Sequence, residues 1–494
     1  MNAQIRRLFF VFAALFVALV AMSTYWLWKA PDLEARRGNP QLVVRQVTIK
    51  RGLIYAANGK TIFATNRKKR VQGRTWYLRR YPSRGLVAQT VGYSTIERSR
   101  TGLEESLNDY LTGSNANLRT LYDRTVDTLK GVTRQGNDVV TTIDVTAQRT
   151  AMEALAGTCG AVVALDPRDG RILAIASTPT YDSNLAEKNF AQILGIKGPC
   201  EPASPLVNRA TNDFFIPGST FKVVTAAAAL DSGRFTTQST FDDPGYCTEY
   251  GKRVSNYADQ DGAEVFGRVD FPTAMEHSIN SVFCNIGKAI GPGLVLDYAK
   301  RFGFYEDPPL ETPSEERLRS GLYQGDKLFE PAEPNQVDPG RLAFGQERLR
   351  VTPLQMAMVA AAIANGGILM EPHVVDRIVN PDGNVVSRTS PEQYREVVKA
   401  GTAADLTAMM RLVVESGTGT AAQIPGVPVA GKTGTAETGR QGQNDTWFIA
   451  FAPADRPRVV VAVALHNQSG TGGSTAAPIA RALMQTLLSR KTLP

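Results

Sequence analysis

The sequence is poor in metal-binding residues. It has only three histidines, His277, His373 and His466, standing far apart, and four cysteines with no C-x-x-C pair. An ordinary zinc site needs its ligands clustered, so that class is excluded, and no cofactor or metal is expected. There is no internal repeat and no low-complexity tract, and 43 Gly and 28 Pro are near normal usage, so fibrous architectures are out. Excess charge is also small. The 55 Lys+Arg exceed the 47 Asp+Glu by 8 over 494 residues, which does not by itself indicate nucleic acid. Hydrophobic residues make up 43%, which excludes wholesale disorder. The length suggests two or three domains.

Charge is missing entirely from residues 8–28, LFFVFAALFVALVAMSTYWLW. Twenty-one uncharged residues are enough to cross ~30 Å of hydrocarbon as a helix. Tyr25, Trp26 and Trp28 gather at one end, where amphipathic rings favour the headgroup layer. The alternative is a cleaved signal peptide, but the run is long and no A-x-A site follows it. Arg6 and Arg7 precede the run, and Lys29, Arg36 and Arg37 follow it, so the flanking charges do not decide orientation.

Acid is missing from Arg45 to Arg84, where twelve Lys/Arg occur. One reading is a solvated face; the other is attraction to an anionic surface such as lipid headgroups or an anionic polymer. The stretch carries no nucleic-acid motif. Within it, VTIKRGLIYAANGKTIFA predicts strand, turn and strand, with Asn58-Gly59 at the turn. In residues 101–113, Leu103, Leu107 and Leu111 recur every fourth position and predict a short amphipathic helix. GNDVVTTIDVTAQRTAMEALAG predicts a strand and then a helix, and a domain boundary is expected near residue 140. From residue 160, GAVVALDPRDGRILAIAST predicts a hairpin. Three more strands are expected in VPVAGKTGTAE, DTWFIAFAP and RPRVVVAVALHN, followed by a helix at roughly 475–490. Helical patterns such as FKVVTAAAAL and TPLQMAMVAAAIANGG fill the middle. Strands at both ends around helices imply one α+β domain closed by its two termini.

Three short stretches carry chemistry. Ser219-Thr220-Phe221-Lys222 follows Pro217-Gly218 and opens an Ala-rich helix. Spacing of three places the serine and lysine on one face. A serine is a poor nucleophile until a base takes its proton. A neutral lysine can serve, provided burial and a second nearby cation lower its pKa. Taken alone, the stretch reads as a capping serine followed by a solvated lysine. Ser278-Ile279-Asn280 lies 59 residues on and supplies a hydroxyl for proton relay and an amide that can fix the lysine. Lys432-Thr433-Gly434-Thr435 lies 154 residues further, on a predicted strand. Lys432 is the required second cation, Gly434 leaves room for substrate backbone, and the hydroxyls of Thr433 and Thr435 suit a terminal carboxylate. Alone, this is an ordinary edge strand with polar residues.

In this order, behind one apolar helix, the three stretches resemble the penicillin-binding proteins, the serine D,D-transpeptidases of bacterial wall synthesis. RGLIYAANG, TGLEESLNDYLTG, DVVTTIDVTAQ and FGQERLRVTPLQMA extend the likeness over roughly residues 45–480. It is similar to class B, the monofunctional transpeptidases, and to the shorter, PbpA-like actinobacterial-type branch. The resemblance implies a penicillin-binding/β-lactamase-like α+β domain, an antiparallel sheet flanked by helices, at 141–494. A smaller pedestal, or dimerisation-like, domain at 30–140 and a short cytoplasmic tail with membrane anchor at 1–29 precede it. It also implies roles. Ser219 is the nucleophile, Lys222 its base, Ser278 and Asn280 the second element, and Lys432, Thr433 and Gly434 the carboxylate end. The backbone N–H groups of Ser219 and Thr435 form the oxyanion hole. The implied substrates are stem peptides ending in D-Ala-D-Ala, β-lactams would trap Ser219, and the implied partner is a membrane glycan polymerase. That chemistry places the body outside the cytoplasm.

Rival readings share the site. A β-lactamase of class D usually ends the second motif in Val, whereas here it ends in Asn280. A class A β-lactamase carries a Glu-x-x-x-Asn that is missing from 281 to 431. A bifunctional enzyme needs more than the ~110 residues before the catalytic domain. A D,D-carboxypeptidase uses the same groups with water as acceptor. A β-lactam-sensing receptor needs a signalling part before the helix, where only seven residues stand, and an inert scaffold does not need all three motifs intact. In an oxidising compartment disulfides are permitted. Cys200 and Cys247 sit in loop-like sequence and are the expected pair; Cys159 and Cys284 adjoin apolar segments and are read as buried thiols. His277 is read as structural, Asp445 as steadying the strand turn beside it, and Trp447 and Phe448 as core.

Overall fold

The uncharged run lies within one helix, Asn2–Glu34. Its span Gln4–Trp26 is apolar and long enough to cross a membrane. Phe9, Phe12, Phe16 and Leu19 all stand exposed on it, a surface that matches hydrocarbon better than water. The computed structural model describes residues 2–34, 47–71, 73–96, 99–114, 135–200, 202–259, 262–331, 333–438 and 443–490. Arg36, Arg37 and Arg45, and the side chain of Trp28, lie outside the described residues.

The strands expected near residue 54 join a six-stranded sheet. Its order is Val385–Arg388, Val375–Val379, Asp138–Thr141, Ile54–Tyr55, Ile62–Val71 and Arg74–Arg80. The turn before Ile62 uses Gly59 at φ +62°, a left-handed conformation that glycine adopts freely. Asp138–Thr141 runs parallel to Ile54–Tyr55 and antiparallel to Val375–Val379, so the sheet crosses residue 140 and borrows a hairpin from far along the chain. The expected helix at 101–113 is two short helices, Gly102–Ser106 and Asn108–Leu111, interrupted at Leu107. Leu103, Leu107 and Leu111 still share the core. Glu104 is buried beside them and paired with Arg51 at 2.9 Å and with Arg79. The acid-free basic run is therefore divided. Arg67, Lys68, Lys69 and Arg70 face solvent, while Arg51 and Arg79 turn inward onto this carboxylate.

The second sheet has five antiparallel strands in the order Ala430–Glu437, Asn444–Ala452, Val459–Gln468, Cys159–Leu165 and Ile172–Thr178. A strand from the end of the chain pairs with one from its start, so the termini close the domain as the pattern implied. Both faces are covered, which explains the nearly unbroken apolar strands. Along Cys159–Leu165, Ala161, Val163 and Leu165 point into one core, and Val162 and Ala164 into the other. The first core holds the helix Pro353–Ala364, buried along its length. The second holds Val145–Ala154 and Gly472–Leu488. Each starts with a side-chain cap: Asp144 accepts from Thr146 and Ala147 N–H, and Thr471 forms a capping box with Ser474.

The expected cysteine pairing is wrong. Cys159 bonds to Cys200, and Cys247 to Cys284, with Cα separations of 5.2 and 6.4 Å. Apolar flanks had marked Cys159 and Cys284 as thiols, but all four cysteines are buried, and burial does not distinguish a thiol from a disulfide. Connectivity is a tertiary property that spacing does not encode. The closed loops of 41 and 37 residues correspond to about 4 kcal/mol each in the chain-entropy limit. Reduction, or the double substitution Cys247→Ser/Cys284→Ser, is expected to lower the thermal unfolding midpoint by about 5–10 °C. Scanning calorimetry with and without reductant checks this; an unchanged midpoint would contradict it.

Candidate active site

Ser219 stands in a 3-10 turn, Gly218–Phe221, which runs directly into the helix Lys222–Asp231. Gly218 has φ +49°, and a Cβ there would lie 3.1 Å from Ala436 Cβ and 3.2 Å from Thr435 O. The glycine thus lets the turn press against the edge strand Ala430–Glu437, which carries the third motif. Contact is equally close from the strand side. A Cβ on Gly434 would meet Pro217 O at 2.8 Å and Thr220 Cγ2 at 3.0 Å. Gly434 therefore makes room for the serine turn.

Lys222 and Lys432 are both completely buried. Lys222 Nζ donates to Ser278 O at 2.5 Å, to Asn280 Oδ1 at 2.8 Å and to Ser278 Oγ at 3.2 Å. Lys432 Nζ donates to the same hydroxyl at 2.8 Å and to Thr433 O at 3.1 Å. Ser278 Oγ therefore bridges two ammonium groups that lie 210 residues apart in sequence. Ser278 has φ +58°, and this left-handed turn ahead of the helix Asn280–Ile290 directs its carbonyl as well as its hydroxyl at Lys222. Asn280 Nδ2 donates to Ser255 O, which ties the motif to the hairpin Tyr246–Ser255, and the Cys247–Cys284 bond fastens the same hairpin to the same helix.

Among the described residues, no carboxylate faces either lysine. Burial, and then the charge of Lys432, hold Lys222 well below the ordinary lysine range. Burial alone brings Lys432 down to about 7. With its proton gone, Lys222 is a neutral amine one helical turn from Ser219.

Strand alternation puts Thr433 and Thr435 on the face opposite Lys432 and Gly434. Thr433 Oγ1 lies 2.6 Å from Thr418 Oγ1, and Thr435 Oγ1 accepts from Gly472 N at 3.1 Å. Thr435 keeps its own O–H proton to donate, which suits an anionic acceptor.

The structure brings Lys222, Ser278, Asn280 and Lys432 into one hydrogen-bonded group, and the turn that carries Ser219 packs on the strand at Gly434 and Thr435. His277 is outside that group; it is half-exposed and tilted over Phe266 at 5.0 Å. Trp447 and Phe448 are fully buried. Trp447 does more than fill space, since its indole N–H holds Ile216 O at 2.9 Å. Asp445 Oδ2 accepts from the Ile216 N–H at 3.0 Å, so it anchors the approach to Ser219 and not only its own strand turn. Thr418, Asp213 and His466 escape the sequence reading. Thr418 stands in a Gly- and Thr-rich loop that looks like a plain connection, His466 lies in a segment with no motif around it, and Asp213, six residues before Ser219, reads as an ordinary loop acid.

Known proteins resemble this chain over most of its length. The penicillin binding protein transpeptidase domain family matches residues 160–485, and the penicillin binding protein A dimerisation domain family matches 51–139. The chain belongs to the penicillin-binding transpeptidases, a serine acyl-enzyme class of the mixed α/β fold described above. It is 35% identical to the peptidoglycan D,D-transpeptidase PbpA of Mycobacterium tuberculosis over 519 residues, covering 99% of each chain. It is also 35% identical to PbpA of Mycolicibacterium smegmatis, again over 99% of both. The crystal structure of penicillin-binding protein A from M. tuberculosis as a ceftriaxone acyl-enzyme superposes with a TM-score of 0.79 at 34% identity, covering 90% of this chain and 99% of that one. A transpeptidase domain from Eggerthella lenta gives 0.74 at 33% identity, covering 90% of this chain and 99% of that one.

The lysine pair sets opposing demands. An unfolded lysine keeps its proton to about 10.4, whereas folded Lys432 releases it near 7. The unfolded state binds more protons between those values, so stability rises with pH across that window. Lys432→Met removes the buried cation, and is expected to raise the unfolding midpoint at pH 7 by a few degrees while slowing acylation by a β-lactam ~10³-fold. Differential scanning fluorimetry beside stopped-flow acylation measures both. A Lys432→Met variant that is destabilised, or that acylates normally, would contradict the assignment.

Proposed function

We propose that this chain cross-links peptidoglycan, with Ser219 as the acyl-accepting nucleophile and Lys222 as its base. The observation that carries the reading is the Ser278 hydroxyl held between Lys222 and Lys432, at 3.2 and 2.8 Å. Neutral Lys222 takes the proton of Ser219 as Oγ attacks the penultimate D-Ala carbonyl of a stem peptide. The oxyanion faces the backbone N–H groups of Ser219 and Thr435, carried by two segments that pack together at Gly218. The proton passes through Ser278 to the departing D-Ala amine. An amine from a neighbouring stem peptide then attacks the ester, Ser219 recovers its proton, and the cross-link is formed. The Thr433 and Thr435 hydroxyls hold the terminal carboxylate, and Lys432, on the opposite face of the strand, contributes its charge from beneath. β-Lactams present the same acyl group on a ring, so their ester to Ser219 persists.

This chemistry places the catalytic body outside the cytoplasm, with the N-terminus of the Asn2–Glu34 helix inside. It divides the chain into an anchor at 1–29, a pedestal at 30–140 and a transpeptidase domain at 141–494. Supporting this division, the two family matches meet the chain at 51–139 and 160–485. A transpeptidase without its own polymerase acts on strands made by another protein. A membrane glycan polymerase is therefore the proposed partner, contacting the anchor and pedestal.

Full-length protein in detergent is expected to take up a fluorescent penicillin at one site, and Ser219→Ala to abolish the label while the fold persists by circular dichroism. Retained label on Ser219→Ala would move the nucleophile elsewhere. With a donor stem peptide and an amine acceptor, mass spectrometry is expected to find the cross-linked dimer; release of D-Ala without dimer would make the enzyme a carboxypeptidase.

A further inference from the structure

His466 lies near the end of the strand Val459–Gln468, away from the three motifs in sequence and mostly buried. Its Nδ1 is 2.8 Å from Asp445 Oδ1, and its Nε2 is 3.3 Å from Asp213 Oδ2. Carboxylate oxygens only accept, so a ring with a carboxylate at each nitrogen is satisfied only when both nitrogens carry protons. The ring also stacks on Phe215, with centroids 3.7 Å apart and planes at 5°. These three contacts all bear on residues 213–217, the segment that delivers Ser219. Asp213 begins it, Phe215 lies under the imidazolium, and Asp445 uses its other oxygen to hold the Ile216 N–H. Trp447 holds the carbonyl of the same residue.

We propose that His466 is a positioning residue for acylation: as a doubly protonated ring it clamps Asp213 and Asp445 together, and so fixes the segment that sets Ser219 against the edge strand. The inference rests on Ser219 being the nucleophile. His466 touches neither Ser219 nor the lysines, and its effect runs through the backbone of 213–217. The surroundings favour the charged ring. Among the described residues, the charged groups facing it are Asp213 and Asp445, with Arg209 on the far side of Asp213. Its cross-strand partner Cys159 is in a disulfide and does not titrate, Gln468 donates to its backbone carbonyl, and Phe215 is apolar. Burial alone would lower the imidazole, but the two carboxylates outweigh it and raise it to about 9. The clamp is therefore closed at neutral pH and opens as pH rises through about 9.

With only three histidines, full-length protein in detergent labelled with [13Cε1]-histidine gives three ring signals, and His466→Gln identifies the one of interest. Fluorescent-penicillin acylation rates are read over the same pH range. His466→Gln is expected to acylate ~10–100-fold more slowly at pH 7.5, with little change in apparent affinity. Asp213→Asn leaves the ring one carboxylate, so the His466 midpoint should fall by about one pH unit or more, and the alkaline loss of acylation should fall with it. Lys432 contributes the same limb near 7 to both proteins, so the difference between them is the readout. A wild-type rate in His466→Gln, or a His466 midpoint that falls in Asp213→Asn while the acylation profile stays in place, would overturn the inference. If His466→Gln does not fold, Asp213→Asn decides alone. Wild-type protein left unlabelled at neutral pH would instead overturn the nucleophile assignment, and this inference with it.

Discussion

Two ammonium groups buried side by side without a carboxylate cannot both keep their protons. Lys222 and Lys432 are in that position, sharing the Ser278 hydroxyl. Taking a cation from water into a low-dielectric interior is costly, and a second cation nearby adds to the cost. Burial and the neighbouring cation push Lys222 toward the neutral form, and a backbone carbonyl, an amide oxygen and a hydroxyl stand ready to satisfy the ammonium it becomes on taking a proton. The chemistry of the site is thus a consequence of burial, and burial is a consequence of how three distant segments pack.

The rest of the architecture maintains that packing. The five-stranded sheet supplies a rigid edge, because both of its faces are buried in apolar cores. Onto that edge the Ser219 turn is fitted through two glycines, Gly218 and Gly434, whose missing side chains set the separation. Asp445, Trp447 and His466 secure the approach from the sheet side. The second motif is secured from the other side by Asn280 and by the Cys247–Cys284 bond. Each glycine faces the opposite partner, Gly218 the strand and Gly434 the turn, so substituting either displaces the serine turn.

Much of this was legible in the sequence, for identifiable reasons. The hairpin at 160–178, the three late strands and the Ala-rich helices announce themselves by periodicity and turn residues, and the structure has each of them. The motif residues were legible because three weak signals occurred in a fixed order. Tertiary facts were not legible. Leu103, Leu107 and Leu111 do face the core, but the helix between them breaks at Leu107, and Glu104 turns inward to meet Arg51 and Arg79, which periodicity does not announce. The cysteine pairing failed because apolar flanks encode burial and not partnership. That Gly434 also seats the serine turn was not legible, because a glycine in sequence says that something comes close without saying what. His466, Asp213 and Thr418 stayed hidden because each acts only through a neighbour that the chain brings from far away.

The central claim is that Lys222 is an uncharged amine at neutral pH while Lys432 is near its midpoint. Carbon-13 labelling at lysine Cε, with Lys222→Arg and Lys432→Arg to assign the two signals, reads those charges directly. The account predicts a Lys222 midpoint well below the ordinary lysine range and a Lys432 signal moving with a midpoint near 7. Both lysines titrating near the ordinary value of about 10.4 would contradict it.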